Sequence, residues 1–145
     1  MSDPFLAMGQ QVLDSQPFSV LLGARLAHFV RGDVELVVTL RADLMQQDGF
    51  VHGGVLSYAA DNALTFAGGS ALGQPVRTGG FTIHYVKPAR GERLIARAHA
   101  VATGKRQAVC RCDIFAATGT EEYLCAVAQG TITAITPPAT ERAGS

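Results

Sequence analysis

The chain has 145 residues, 48% hydrophobic and 17% charged, a composition that suits one folded domain burying roughly two thirds of its unfolded surface. Lys plus Arg number 12 and Asp plus Glu number 12, so no net positive field points to nucleic acid or an anionic membrane. No stretch of about 20 uncharged apolar residues occurs, so no membrane-spanning helix is expected.

The start Met1-Ser2-Asp3-Pro4 lacks the basic and apolar regions of a secretory leader. Cys110, Cys112 and Cys125 are an odd count without framework spacing. A cytoplasmic protein with free thiols is the expectation. Asp3 is placed to cap, and Pro4 to open, a short helix ending near Asp14-Ser15. Residues 17–22 add a further turn before Gly23, and residues 24–31 read as a strand. Val34, Leu36, Val38 and Leu40 alternate with Asp33, Glu35, Val37 and Thr39, the pattern of a half-buried strand. Arg31-Gly32-Asp33 makes the turn of the resulting hairpin, and Arg41 to Phe50 is polar enough to be loop.

The stretch from Gly49 to Ala67 is the one around which the chain is organised. Glycines flank His52, and the run that follows is apolar nearly all round, with Ser57, Asp61, Asn62 and Thr65 as polar exceptions. Such a run predicts a buried helix, and a buried carboxylate at Asp61 needs a partner. The helix is expected to reach about Ser70, stopped by Gly68-Gly69 and Gly73-Gln74-Pro75.

Strands follow at roughly 76–87, 92–103, 106–117 and 121–134, with turn signals at Pro88-Ala89-Arg90-Gly91, Thr103-Gly104-Lys105 and Thr118-Gly119-Thr120. Ala96, Ala98 and Ala100 share one strand face, as do Ala108, Cys110 and Cys112 on the next. Small residues facing inward leave room for a helix against the sheet. The pattern predicts an α+β fold, an antiparallel sheet of about six strands wrapped around one long central helix. It forms a single domain over residues 1–135, followed by a frayed tail at 136–145.

A helix N-terminus offers unpaired N–H groups and partial positive charge, and Gly53 and Gly54 let a ligand approach them. Those glycines make an oxyanion site or only a tight turn into the helix. Asp61 lies nine residues beyond His52, about 13 Å along a helix. One helix therefore cannot carry its own Asp61 to its own Gly53 amide. If both serve one site, they come from two subunits with antiparallel central helices, in a two-fold dimer with two shared sites. The plainer reading of Asp61 is a carboxylate bonded to Ser57 or Asn62, with no chemistry. His28, His52, His84 and His99 are scattered, and Cys110-Arg111-Cys112 lacks a second ligand pair, so no metal site is expected. There is neither a Gly-x-Ser-x-Gly elbow nor a phosphate-binding Gly-rich loop.

These elements in this order carry Gly49-Phe50-Val51-His52-Gly53-Gly54, then Asp61, then Tyr85-Val86-Lys87-Pro88-Ala89. Over roughly residues 33–135 the chain resembles the hotdog-fold acyl-CoA thioesterases of the PaaI-like branch. The resemblance implies hydrolysis of an acyl- or aryl-CoA thioester, with Asp61 as general base or nucleophile. It implies that the Gly53 amide polarises the thioester carbonyl, with His52 beside it. Gln46 stands where the family has an Asn six residues before the His, and Thr78 where it has a water-orienting Ser. Gly54, Phe50 and Leu56, with Phe66 and Met8, become candidates to hold the acyl end, or plain core. Arg90, Lys105 and Arg106 become candidates to meet the phosphates of coenzyme A, or ordinary solvated charges. His52 orients the carbonyl or simply bonds backbone, the second being favoured. No cofactor is implied beyond the coenzyme A of the substrate, and the assembly implied is a homodimer built into a dimer of dimers. The fold also serves dehydratases or hydratases, which would need His52 as base, and non-catalytic acyl-CoA binders.

Overall fold

The computed structural model describes residues 3–135; the tail expected at 136–145 lies outside the described residues. Helix α1 spans Pro4–Asp14, and the Asp3 carboxylate accepts from the N–H groups of Phe5 and Leu6 at 3.0 and 3.4 Å. That satisfies two of the donors that a helix start leaves open. Helix α2, Pro17–Leu22, begins on a proline and ends at Gly23, whose φ of 73° is the left-handed conformation that a side chain disfavours. Strands β1 (Ala24–Val30) and β2 (Asp33–Thr39) form the expected hairpin.

The central helix, α3, runs over Gly53–Leu72 and ends at Gly73. The expected stop at Gly68-Gly69 is corrected: the helix passes straight through both. A Cβ on Gly68 would lie 2.6 Å from the Ile132 Cβ, so that glycine permits close helix–sheet contact rather than ending the helix. Four long strands follow: β3 (Val76–Tyr85), β4 (Arg93–Thr103), β5 (Gln107–Thr118) and β6 (Glu121–Ala134).

All pairings are antiparallel, in the order β1-β2-β4-β5-β6-β3. The sheet wraps α3, and Ala59, Ala63, Leu64 and Ala67 of the helix are buried together with Leu94, Ala96, Ala98, Cys110, Cys112 and Ile114. Alanines and cysteines at the sheet centre leave the depth that a helix needs. This is the sheet-around-helix architecture expected from the sequence.

One expectation about α3 needs correction. The helix is not buried on every side: Ser57, Tyr58, Asp61, Asn62 and Thr65 are only partly buried. Ser57, Asp61 and Thr65 stand at i, i+4 and i+8, which places them on one face of the helix. Strand β3 borders this face, where Tyr85 bonds Ser57 and Thr78 bonds Asp61, while Tyr58 and Asn62 on the neighbouring face meet Gln16 and Ser19 at the start of α2. No helix among the described residues is long and apolar enough to cross a membrane.

Candidate active site

His52 is the residue that starts α3. Its backbone is extended (φ −59°, ψ 135°), and its ring Nδ1 accepts from the Gly54 N–H at 2.8 Å. An accepting Nδ1 leaves the proton of the neutral ring on Nε2. The Gly54 amide is therefore occupied by the cap, which corrects the expectation that it is open to a ligand. The Gly53 N–H is different. Among the described residues it has no hydrogen-bond partner, as the geometry of a first helical turn requires.

Tyr85, at the end of β3, packs against this amide. Its hydroxyl donates to the Gly53 carbonyl at 3.2 Å and lies 2.7 Å from Ser57 Oγ. A Cβ on Gly53 would stand 3.5 Å from the Tyr85 ring, ordinary van der Waals contact, so the tyrosine closes on this position without demanding a glycine. Gln46, Phe50, Gly53, Leu56 and Tyr85 line a cleft of 320 Å³. Gln46 Oε1 accepts from the N–H groups of Asp48 and Phe50, and its own N–H donates to the Phe50 carbonyl at 2.7 Å. The longer side chain thus ties the loop to itself. Arg90 holds its guanidinium over the Phe50 ring, 4.6 Å from the centroid, a contact that fixes a cation at the rim of the cleft.

Asp61 lies further along α3. Its Oδ1 accepts from the Thr78 hydroxyl at 2.5 Å, and Thr78 Oγ1 is 3.0 Å from Thr65 Oγ1, which in turn donates to the Asp61 carbonyl at 2.8 Å. The partners suggested by proximity in sequence are engaged elsewhere. Ser57 bonds Tyr85, while the Asn62 amide bonds Gln16, Ser19 and Tyr58. That second cluster ties α1 and α2 to the central helix, and burial pushes the Tyr58 hydroxyl pKa up while bonds to Ser19 and Asn62 act against it.

The structure brings Gln46, Phe50, His52, Gly53, Leu56 and Arg90 to the N-terminal end of α3, and Asp61 and Thr78 to its middle. Eight residues separate Gly53 from Asp61, about 12 Å along the axis, so the two do not meet within one chain. Lys105 and Arg106 are at the opposite end: the Lys105 carbonyl accepts from Gln74 just past α3, and Arg106 donates to the Ala134 carbonyl. They stand some 30 Å from Gly53 by the length of the helix, so no single chain unites them with Arg90. Tyr85, Ser57 and Thr65 are site residues that sequence reasoning did not assign. The four-residue spacing of Ser57, Asp61 and Thr65 was the available signal. Among the described residues, no three His, Cys, Asp or Glu side chains are placed to hold a metal ion.

Chemically, one end of this arrangement offers a free N–H with the positive pole of a helix behind it, suited to a developing oxyanion. The other offers a carboxylate held by a hydroxyl, suited to taking a proton. The family model described as the Thioesterase superfamily matches residues 48–123. A search of curated proteins found no match. Among solved structures, a thioesterase family protein from Silicibacter pomeroyi is 30% identical, with a TM-score of 0.86 over 92% of this chain and 99% of that one. A thioesterase from Haemophilus influenzae is 26% identical, with a TM-score of 0.78 over 88% of each chain. The phenylacetic acid degradation protein PaaI from Thermus thermophilus, in a mutant form, is 28% identical, with a TM-score of 0.73 over 83% of this chain and 100% of that one. The fold is the hotdog fold that these proteins share.

Proposed function

We propose that this chain, which belongs to the thioesterase superfamily, hydrolyses an acyl-CoA or aryl-CoA thioester to a carboxylic acid and free coenzyme A. The observation that carries the reading is the pairing of the Asp61 carboxylate with the Thr78 hydroxyl in a chain whose helix start leaves the Gly53 N–H unpaired. The thioester oxygen sits on the Gly53 amide. Thr78 and Asp61 hold a water against the carbonyl carbon, and Asp61 takes its proton as the C–O bond forms. The oxyanion collapses, the C–S bond breaks, and the coenzyme A sulfur leaves with the proton that Asp61 returns.

Because Gly53 and Asp61 of one chain are about 12 Å apart, the reading requires a two-fold dimer in which Asp61 works with Gly53 of the partner subunit. Two features support such pairing. Strand β3 is an edge strand, unpaired on one side within the chain, and Asp61, which meets that strand through Thr78, stays only partly buried. With central helices antiparallel, the C-terminal end of the partner helix extends past the Gly53 end of this one. Lys105 and Arg106 of the partner subunit then approach Arg90, and the three cations meet the phosphates of coenzyme A from two chains.

Release of free thiol from a panel of acyl-CoAs, with wild type and Asp61→Asn, tests the reading. Turnover that falls by about 10²- to 10⁴-fold in the variant supports it. Tight binding of the same thioesters without turnover points instead to an acyl-CoA-binding protein. Turnover indifferent to Asp61→Asn removes Asp61 from the chemistry.

A further inference from the structure

A groove of 570 Å³ lies between α1, the C-terminal half of α3 and the start of β3. Phe5, Met8, Val12, Phe29, Phe66 and Val76 form its apolar walls, Asn62 and Thr65 line it near Asp61, and Arg31 and Gln74 line its Gly73 end. Thr65 joins this groove to the reaction centre. Its hydroxyl is 3.0 Å from that of Thr78, which donates to the Asp61 carboxylate. The apolar space therefore begins one side chain away from the carboxylate.

The outer wall is a built element. Met8 and Val12 keep 51% and 50% of their surface exposed, yet the α1–α2 segment that carries them is anchored. Ser19, 1% exposed, accepts from the Tyr58 hydroxyl at 2.6 Å, and the Asn62 amide bonds Gln16 and Ser19 at 3.0 Å each. Gly9 adds to the anchoring: a Cβ there would meet the Phe29 ring at 2.5 Å, so α1 lies directly on β1.

Size then decides what the groove takes. An apolar cavity of about 150 Å³ holds one benzene molecule, and this groove has roughly four times that room. From Thr65 to Gly73 it runs about 12 Å along the helix, the reach of an extended tail of roughly eight to ten carbons. We infer that the groove is the acyl subsite and that it takes a flexible apolar tail of medium length, rather than an acetyl group or a single aromatic ring. The inference rests on the thioesterase reading for the position of the carbonyl at Asp61, from which the tail passes Thr65 and follows Phe66 towards Val76.

Filling the groove tests it. Met8→Trp and Val12→Trp each place a large ring at a half-exposed helix position. Two readouts are taken: the ratio of kcat/KM for decanoyl-CoA to that for acetyl-CoA, and the calorimetric Kd of S-decyl-coenzyme A, a thioether that cannot be hydrolysed. Wild type is expected to prefer decanoyl-CoA over acetyl-CoA and benzoyl-CoA. In the variants the ratio falls, and thioether binding weakens, by roughly tenfold or more as several methylenes lose their apolar surroundings. Thioether binding unchanged in both variants, or an equal fall for every acyl length, overturns the groove as acyl subsite. Weakened thioether binding in a protein that hydrolyses no acyl-CoA keeps the groove and removes the thioesterase reading.

Discussion

Thr78, on edge strand β3, donates its hydroxyl hydrogen to Asp61 Oδ1 on the central helix at 2.5 Å. This contact crosses 17 residues of sequence and sets the carboxylate beside one of the two edges of the sheet. Thr78→Val keeps the shape and the strand preference of the side chain but removes the donor. A hydrogen bond to a charged group contributes about 1.5–3 kcal/mol, so kcat for acyl-CoA hydrolysis is expected to fall roughly 10- to 100-fold, with recovery in Thr78→Ser. Steady-state kinetics on the three proteins checks this. Equal kcat in wild type and Thr78→Val would show that the hydroxyl does nothing for Asp61.

His52 is expected to act on the helix rather than on the substrate. Its Nδ1 caps the Gly54 N–H, and loss of an N-cap costs about 0.5–2 kcal/mol. His52→Ala should lower the midpoint of thermal unfolding, whereas His52→Asn, with a side chain well suited to capping, should restore it and retain most of the turnover. A stable His52→Asn protein with no activity would make the ring a catalytic group, as a dehydratase requires.

Gly68 and Gly69 make a contrasting pair. Alanine is the better helix former by about 1 kcal/mol, but a Cβ at Gly68 would meet three Ile132 atoms at 2.6–2.9 Å. Overpacking of that kind costs about 1–3 kcal/mol, so Gly68→Ala should destabilise the fold. A Cβ at Gly69 meets only Val76 Cγ2, at 3.1 Å, and Gly69→Ala should cost less. Urea unfolding of the two variants gives the order directly, and the reverse order would contradict the packing described.

The three cysteines are buried and free, and burial pushes Cys110 and Cys125 up to about 11 and Cys112 up to about 12. They should resist a thiol reagent at pH 8 until the chain unfolds, since the thiolate is the reactive form. The folded state holds these protons above the pH at which the unfolded chain releases them, near 9 for an ordinary thiol. Between about pH 9 and 12 the native state binds more protons than the unfolded one, so the cysteine contribution makes stability fall as pH rises through that window. Below about pH 8 the same contribution is fully present and flat. Unfolding midpoints of wild type and Cys112→Ala across pH 7–11 check the sign: the wild-type decline should be the steeper.

Much of this was legible in the sequence because it follows local rules. Asp3-Pro4 opens α1, Gly23 closes α2, and the alternation from Asp33 to Leu40 marks β2. Gly73 closes α3 as expected, whereas Gly68-Gly69 does not, although it has the composition of a stop. Its meaning is set by Ile132, a residue 64 positions away that no local pattern connects to it. The polar stripe of Ser57, Asp61 and Thr65 stood in the sequence at helical spacing, yet its partners, Tyr85 and Thr78 on β3, are brought to it only by the fold. Thr78 was found by family resemblance rather than by any pattern, since Thr in a strand is ordinary. Tyr85 and its bonds to Ser57 and Gly53 join residues 28 and 32 positions apart, and nothing in the spacing announces them.

The central claim is that each site is built from Asp61 of one chain and Gly53 of another, and subunit complementation tests it most directly. Gly53 occupies the first position of α3, where proline fits a helix without loss of an intrahelical bond. The preceding residue, His52, already has the extended backbone that a following proline demands. Gly53→Pro therefore removes the proposed oxyanion donor with little other change, and Asp61→Ala removes the carboxylate. Each variant alone should be inactive. Mixed, unfolded and refolded together in equal amounts, they should regain about a quarter of wild-type activity, because half of the dimers carry one chain of each kind and each of those has one intact site. No recovery from two well-folded, mixed variants would contradict the shared site.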